Sequence, residues 1–187
     1  MAVLVAYATK HGATRGISER IADTLGSAGL QAVALPAAAV GDLASYDAFV
    51  VGSAVYNFHW LKEAMQFLRS NRDVLARRPV WLFSSGPLGT EATDAQGRDL
   101  RSVALSSPEN APPMFKRAAQ ELAELQEAVK PQDHRVFFGA FQRGKPKGMS
   151  ERLVMLMPAA RAALPEGDFR DWQEIEAWAQ GIARELA

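Results

Sequence analysis

Cysteine is missing from these 187 residues, and histidine occurs only three times. Without thiols there are no disulfides, no thiolate nucleophile or metal ligand, and no thiol redox chemistry. Three histidines with no paired ligand spacing argue against zinc. An excess of one charge is also lacking. Lys plus Arg number 21 and Asp plus Glu number 21, so no net field draws the chain onto nucleic acid or an anionic membrane. No apolar run approaches the roughly 20 residues of a membrane-spanning helix. The opening MAVLVAY has no basic flank, so it reads as a buried strand and not as a secretory signal.

What is present is ordinary globular material, 48% apolar and 22% charged. Its length fits one domain over residues 1–187. Short, almost continuously apolar runs at 2–7, 31–35, 48–52, 80–84 and 135–141 alternate with amphipathic stretches. That rhythm predicts parallel strands covered on both faces and joined by crossover helices, an α/β doubly wound sheet. Residues 14–28 place Ile17, Ile21, Ala22 and Leu25 on one face, with Gly29 as the stop. Further helices are predicted over 61–75, over 114–129 after Pro112 and Pro113, and at the end of the chain. There Asp171 is an N-cap with Glu174 three residues on, ahead of Ile175, Trp178 and Ile182. Two stretches exceed a minimal sheet: 86–111, polar and rich in Gly, Ser and Pro, which reads as a lid loop, and 142–168, an extra segment after the fifth strand.

In such sheets ligands sit beyond the carboxyl ends of the strands, where the strand order reverses. After the first strand comes Thr9-Lys10-His11-Gly12-Ala13-Thr14 and then a helix. Two hydroxyls, a glycine that lets backbone approach, and free amides at a helix start make a phosphate cradle. Lys10 reads either as support for the anion or as a solvated surface lysine. His11 reads as a neutral hydrogen-bonding group, because the helix end resists its protonation. The spacing matches neither the nucleoside triphosphate loop nor the dinucleotide fingerprint. Strand ends at Ala8-Thr9 and Gly52-Ser53 offer no aspartate to phosphorylate.

After the third strand stand Ser53, Ala54, Val55, Tyr56, Asn57, Phe58, His59 and Trp60, a loop with apolar faces and polar edges suited to a flat heteroaromatic ring. Phe58 and Trp60 could equally pack the next helix, and His59 could be a satisfied histidine at its start. After the fourth strand come Ser84, Ser85, Gly86, Pro87, Leu88 and Gly89, small enough to let backbone reach the same ring. Together the three turns imply a phosphate monoester that carries a planar ring.

On these residues the sequence resembles flavodoxin-fold FMN proteins, and within them the flavodoxin-type, menaquinone-dependent protoporphyrinogen dehydrogenases. The likeness rests on Tyr7 to Thr14, on Tyr46 to Val55, on Phe138-Gly139-Ala140-Phe141, and on Asp171-Trp172 opening the last helix. It implies a five-stranded parallel sheet of order 2-1-3-4-5 with helices on both faces, and FMN as cofactor. Thr9, His11, Gly12, Ala13 and Thr14 would hold its phosphate, while Ser53 to Phe58 and Ser84 to Gly89 would enclose the isoalloxazine. It further implies an FMN-dependent oxidoreductase with a small-molecule electron donor and a quinone acceptor. The location would be cytoplasmic with at most peripheral membrane contact, and a homodimer is compatible with it. The alternative is an electron-carrier flavodoxin shuttling electrons between redox proteins. The sequence departs from the dehydrogenases at Tyr56, where they carry a basic residue, and at 142–148, which is basic but lacks Tyr or Trp.

Overall fold

The computed structural model describes residues 1–56, 59–86, 116–141 and 167–187. The lid expectation for 86–111, apart from Gly86, and nearly all of the extra segment 142–168 fall outside these residues, as do Met114 and Phe115.

Five parallel strands form the main sheet: β1 (Ala2–Ala8), β2 (Gln31–Pro36), β3 (Ala48–Tyr56), β5 (Val80–Ser85) and β6 (Asp133–Phe137). Their order is β2-β1-β3-β5-β6, with the two-residue β4 (His59–Trp60) paired antiparallel to the end of β3. With β4 set aside, this is the expected 2-1-3-4-5 order. The reason is legible in the strands themselves: in β1 every residue from Val3 to Ala8 is buried, and β5 is buried throughout, as both-face coverage demands. β2 lies at an edge and alternates instead.

Helices divide between the two faces. On one, α1 (Ala13–Ser27) and α5 (Trp172–Glu185) cover Val3, Val5, Val50, Trp81, Phe83 and Phe137. On the other, α2 (Lys62–Ser70), α3 (Arg72–Leu75) and α4 (Lys116–Val129) cover Leu4, Ala6, Phe49, Val51, Val80 and Leu82. The chain thus leaves β1 toward one face and β3 toward the other, which opens the crevice between their carboxyl ends. Gly29, at φ 90°, ends α1 as expected. Leu30 N donates to Leu25 O and Gly29 N to Gly26 O, a closing pattern that satisfies the last carbonyls. Asp171 caps α5 by accepting from Glu174 N at 3.0 Å.

Three expectations need correction. The predicted helix 61–75 is two helices that meet at Asn71, whose side-chain Nδ2 donates to Phe67 O and whose N–H bonds the same carbonyl. The predicted strand 135–141 starts earlier, at Asp133, and stops at Phe137. Ala140–Phe141 (β7) leaves the sheet to pair antiparallel with Gly167–Asp168 (β8), a ladder extended by Phe169 N donating to Gly139 O. The predicted loop 53–60 is strand through Tyr56 and again at His59–Trp60, because β1 and β5 carry β3 as far as Ala54 and β4 pairs with Val55 and Tyr56. Among the described residues, no helix is long and apolar enough to cross a membrane.

Candidate functional site

The register of the sheet sets the ends of three strands in one row. Ala8 lies opposite Ser53, Ser53 opposite Ser84, and Ala54 opposite Ser85. The three turns singled out in the sequence therefore grow from adjacent positions.

At the first turn Thr9 Oγ1 accepts from Gly12 N at 3.0 Å, which folds the chain back toward α1. Gly12 itself sits at φ 94°, and a Cβ there would meet nothing within 4 Å, so the left-handed backbone alone is what requires glycine. The first helical bond runs from Gly16 N to Gly12 O at 3.1 Å. The amides of Ala13, Thr14 and Arg15 therefore have no acceptor inside the helix. Among the described residues no side chain caps this end, and no acidic residue stands in its first turn, so the positive end of α1 favours an anion.

Thr14 is wholly buried, and its Oγ1 has no hydrogen-bond partner among the described residues. A buried hydroxyl left unpaired costs about 1–3 kcal/mol, and almost all such groups in folded proteins are satisfied. A phosphate oxygen at the helix start would supply the missing acceptor, so the residues present fit the phosphate of FMN. His11 is exposed and Lys10 half-buried, and both are engaged in contacts of their own.

The other two turns are built on serines that brace the fold. Ser53 Oγ donates to Ala54 O at 2.9 Å and accepts from Leu61 N at 3.0 Å, tying β3 to the entry of α2. Ser84 Oγ accepts from Trp60 Nε1 at 2.9 Å and stands 3.0 Å from His134 Nε2. His134 Nδ1 in turn lies 2.9 Å from Gln126 Nε2 of α4, and the imidazole meets the Trp60 ring edge-on at 5.8 Å. Burial pushes the His134 pKa down to about 4, against a smaller opposing pull from Asp133, so the ring is neutral. Trp60 is 1% exposed and belongs to the core. Beyond Ser85, Gly86 turns the chain at φ 111° while its N–H donates to Phe137 O at 3.0 Å. A Cβ on Gly86 would lie 3.7 Å from Val55 O, so the β3 and β5 turns approach each other closely at this point.

Of the predicted site residues, the structure brings together Thr9 to Thr14, Ser53, Ala54, Val55, Ser84, Ser85 and Gly86, and carries the backbone of Tyr56 at the end of β3. Asn57, Phe58, Pro87, Leu88 and Gly89 lie outside the described residues. Two contributors escaped the sequence reading, the His134 and Gln126 brace and Arg170, whose Nη1 donates to Ala13 O at 3.3 Å. No local pattern marks either, since Ser84 lies 50 positions from His134 and Ala13 lies 157 from Arg170.

Comparison with known proteins agrees with the fold. The chain matches the family described as Flavodoxin domain over residues 4–159. A search of curated protein sequences finds no match. Similar solved structures include a flavodoxin from Pseudomonas aeruginosa, at 16% identity and a TM-score of 0.56, covering 100% of this chain and 99% of that one. Flavodoxin 2 from Bacillus cereus is 17% identical, with a TM-score of 0.58 and 99% of each chain covered. Rubredoxin oxygen:oxidoreductase from Desulfovibrio gigas is 14% identical with a TM-score of 0.56; the match covers 99% of this chain and 36% of that larger one. At these identities the likeness is one of fold.

Proposed function

The chain belongs to the flavodoxin domain family, whose cofactor is FMN, and from that premise we propose that it is an FMN-dependent oxidoreductase. On this reading it takes electrons from a small organic substrate and hands them to a quinone, in the manner of the protoporphyrinogen dehydrogenases its sequence resembles. When bound, FMN supplies the redox chemistry, accepting electrons from a donor and releasing them to an acceptor. The chain's own residues bind and orient it. The amides of Ala13, Thr14 and Arg15 and the Thr14 hydroxyl hold the phosphate. The ends of β3 and β5 flank the ring, kept in register by Ser53 and by the Trp60, Ser84 and His134 brace. Electron transfer through a flavin requires no acid or base from the chain, and none is assigned.

The observation that carries an enzyme over a carrier is the charge balance. A protein that docks on redox partners by electrostatic steering needs a surface of one sign. Here 21 basic residues offset 21 acidic ones. The protein would work in the cytoplasm, with peripheral membrane contact at most.

The test is anaerobic. The purified holoprotein is mixed with candidate donors, a porphyrinogen among them, and its visible spectrum is followed; the reduced protein is then offered a menaquinone analogue. Bleaching by one donor and recovery with the quinone are expected. A second reading, an electron-carrier flavodoxin, draws on the flavodoxins that match this chain along their whole length. It would prevail if the holoprotein oxidised no small molecule yet relayed electrons from a reductase to an acceptor protein.

A further inference from the structure

Arg170 lies far along the chain from the phosphate turn, yet its guanidinium is packed against the first turn of α1. Nη1 donates to the carbonyl of Ala13 at 3.3 Å. Nε and Nη2 donate to the two oxygens of Asp168, at 2.7 and 2.5 Å. The group also lies over the Trp172 ring, with Cζ 4.3 Å from its centroid. Its side chain is 16% exposed, so the cation is largely withdrawn from water. Gly16 makes the room: a Cβ there would stand 2.5 Å from Nη1. Asp168 is itself placed by the pairing of β7 with β8. Carboxylate, indole and glycine together aim one cation at one peptide unit.

That unit is Ala13–Thr14. Its carbonyl receives Arg170, and its N–H is the Thr14 amide, one of the first-turn donors with no helical acceptor. A charged donor on the carbonyl polarises the peptide and makes the opposite N–H a stronger donor. The same residue, Thr14, carries the buried hydroxyl that lacks a partner among the described residues. Amide and hydroxyl therefore sit together at the helix start, held from behind by Arg170.

We propose that Arg170 is a positioning residue for the phosphate cradle: it fixes and polarises the Ala13–Thr14 peptide and so sets the preference for FMN over riboflavin, the same ring without the phosphate. The proposal rests on the FMN reading above, and its signature is selective between two flavins and not a general loss of fold.

The experiment is calorimetric titration of the full-length apoprotein with FMN and with riboflavin, in the wild type, Arg170→Met and Arg170→Lys. Arg170→Met is expected to weaken FMN about tenfold or more, the scale of a charge-assisted hydrogen bond, and to leave riboflavin affinity unchanged. Arg170→Lys should recover part of the FMN affinity, since it keeps the charge and loses the planar fork. Equal losses for both flavins, or no loss of FMN affinity in Arg170→Met, overturn the proposal. If Arg170→Met fails to fold, Asp168→Asn loosens the clamp and keeps the cation. A smaller loss confined to FMN is then expected, and its absence is equally fatal. Failure of the FMN reading looks different: the wild type would take up neither flavin, or both alike, and both ideas would fall together.

Discussion

Trp60 Nε1 donates to Ser84 Oγ over 2.9 Å, between two residues that are each 1% exposed. The bond ties the short β4 to the end of β5, so two of the turns that would face the flavin ring share one support. Ser84 also meets His134, so one hydroxyl serves partners from two elements.

Removing that hydroxyl strands the indole N–H in the core. Ser84→Ala is expected to destabilise the protein by about 1–3 kcal/mol, the cost of an unpaired buried donor. Urea unfolding should show an earlier midpoint with an unchanged slope. An unchanged midpoint would mean that water reaches the indole.

His134 predicts how stability responds to acid. Its folded-state pKa of about 4 lies below the ordinary 6.5, chiefly through burial. Between those values the unfolded chain binds a proton that the folded one refuses, so unfolding gains as pH drops. Stability from this group is fully present above pH 6.5 and declines toward pH 4, by on the order of 3 kcal/mol in all. Denaturant midpoints from pH 7 to 4 in wild type and His134→Gln test this. The variant's curve should be flatter, and parallel curves would assign the acid sensitivity to other groups.

Thr14→Val should act with opposite signs in the two forms of the protein. In the apoprotein it removes a buried hydroxyl that has no partner among the described residues, so stability should hold or rise. In the complex it removes a phosphate contact, and FMN affinity should drop by about 1–3 kcal/mol. Thermal melts with and without FMN give both answers from one preparation. An FMN-induced rise in Tm equal to that of wild type would place the phosphate elsewhere.

Gly52 sits opposite Tyr7 and Phe83 in the sheet, and a Cβ on it would come within 2.0 Å of the Phe83 ring. Gly52→Ala should therefore cost about 1–3 kcal/mol by overpacking. The double variant Gly52→Ala, Phe83→Leu should recover part of that loss, because the two positions share one space. Purely additive losses would show that the glycine is needed for some other reason.

The strand-end turns were legible because each is a short signal. Gly12 after Thr9, Gly29 after Leu25, and Asp171 before Glu174 mark boundaries through hydrogen bonds that span a few residues. Asn71 shows the limit. Its apolar spacing reads as one helix from 61 to 75, and only its bonds back to Phe67 reveal the break. Likewise Phe138 to Phe141 reads as a continuing strand, and only the distant Gly167–Asp168 draws part of it out of the sheet.

Apolar runs, their alternation with helical faces, the missing thiols and the balanced charge are properties of the chain alone. They determined the layered parallel sheet and the crevice to search, because backbone geometry and burial act on every residue according to its near neighbours. Tertiary structure decided what the side chains there can do. It buried Thr14 Oγ1 without a partner among the described residues, committed Ser53 to the amide of Leu61 and Ser84 to the Trp60 indole, and carried Arg170 across 157 positions to the carbonyl of Ala13. Such contacts arise only when packed helices and strands bring distant residues within a few ångströms, and no local pattern encodes that meeting.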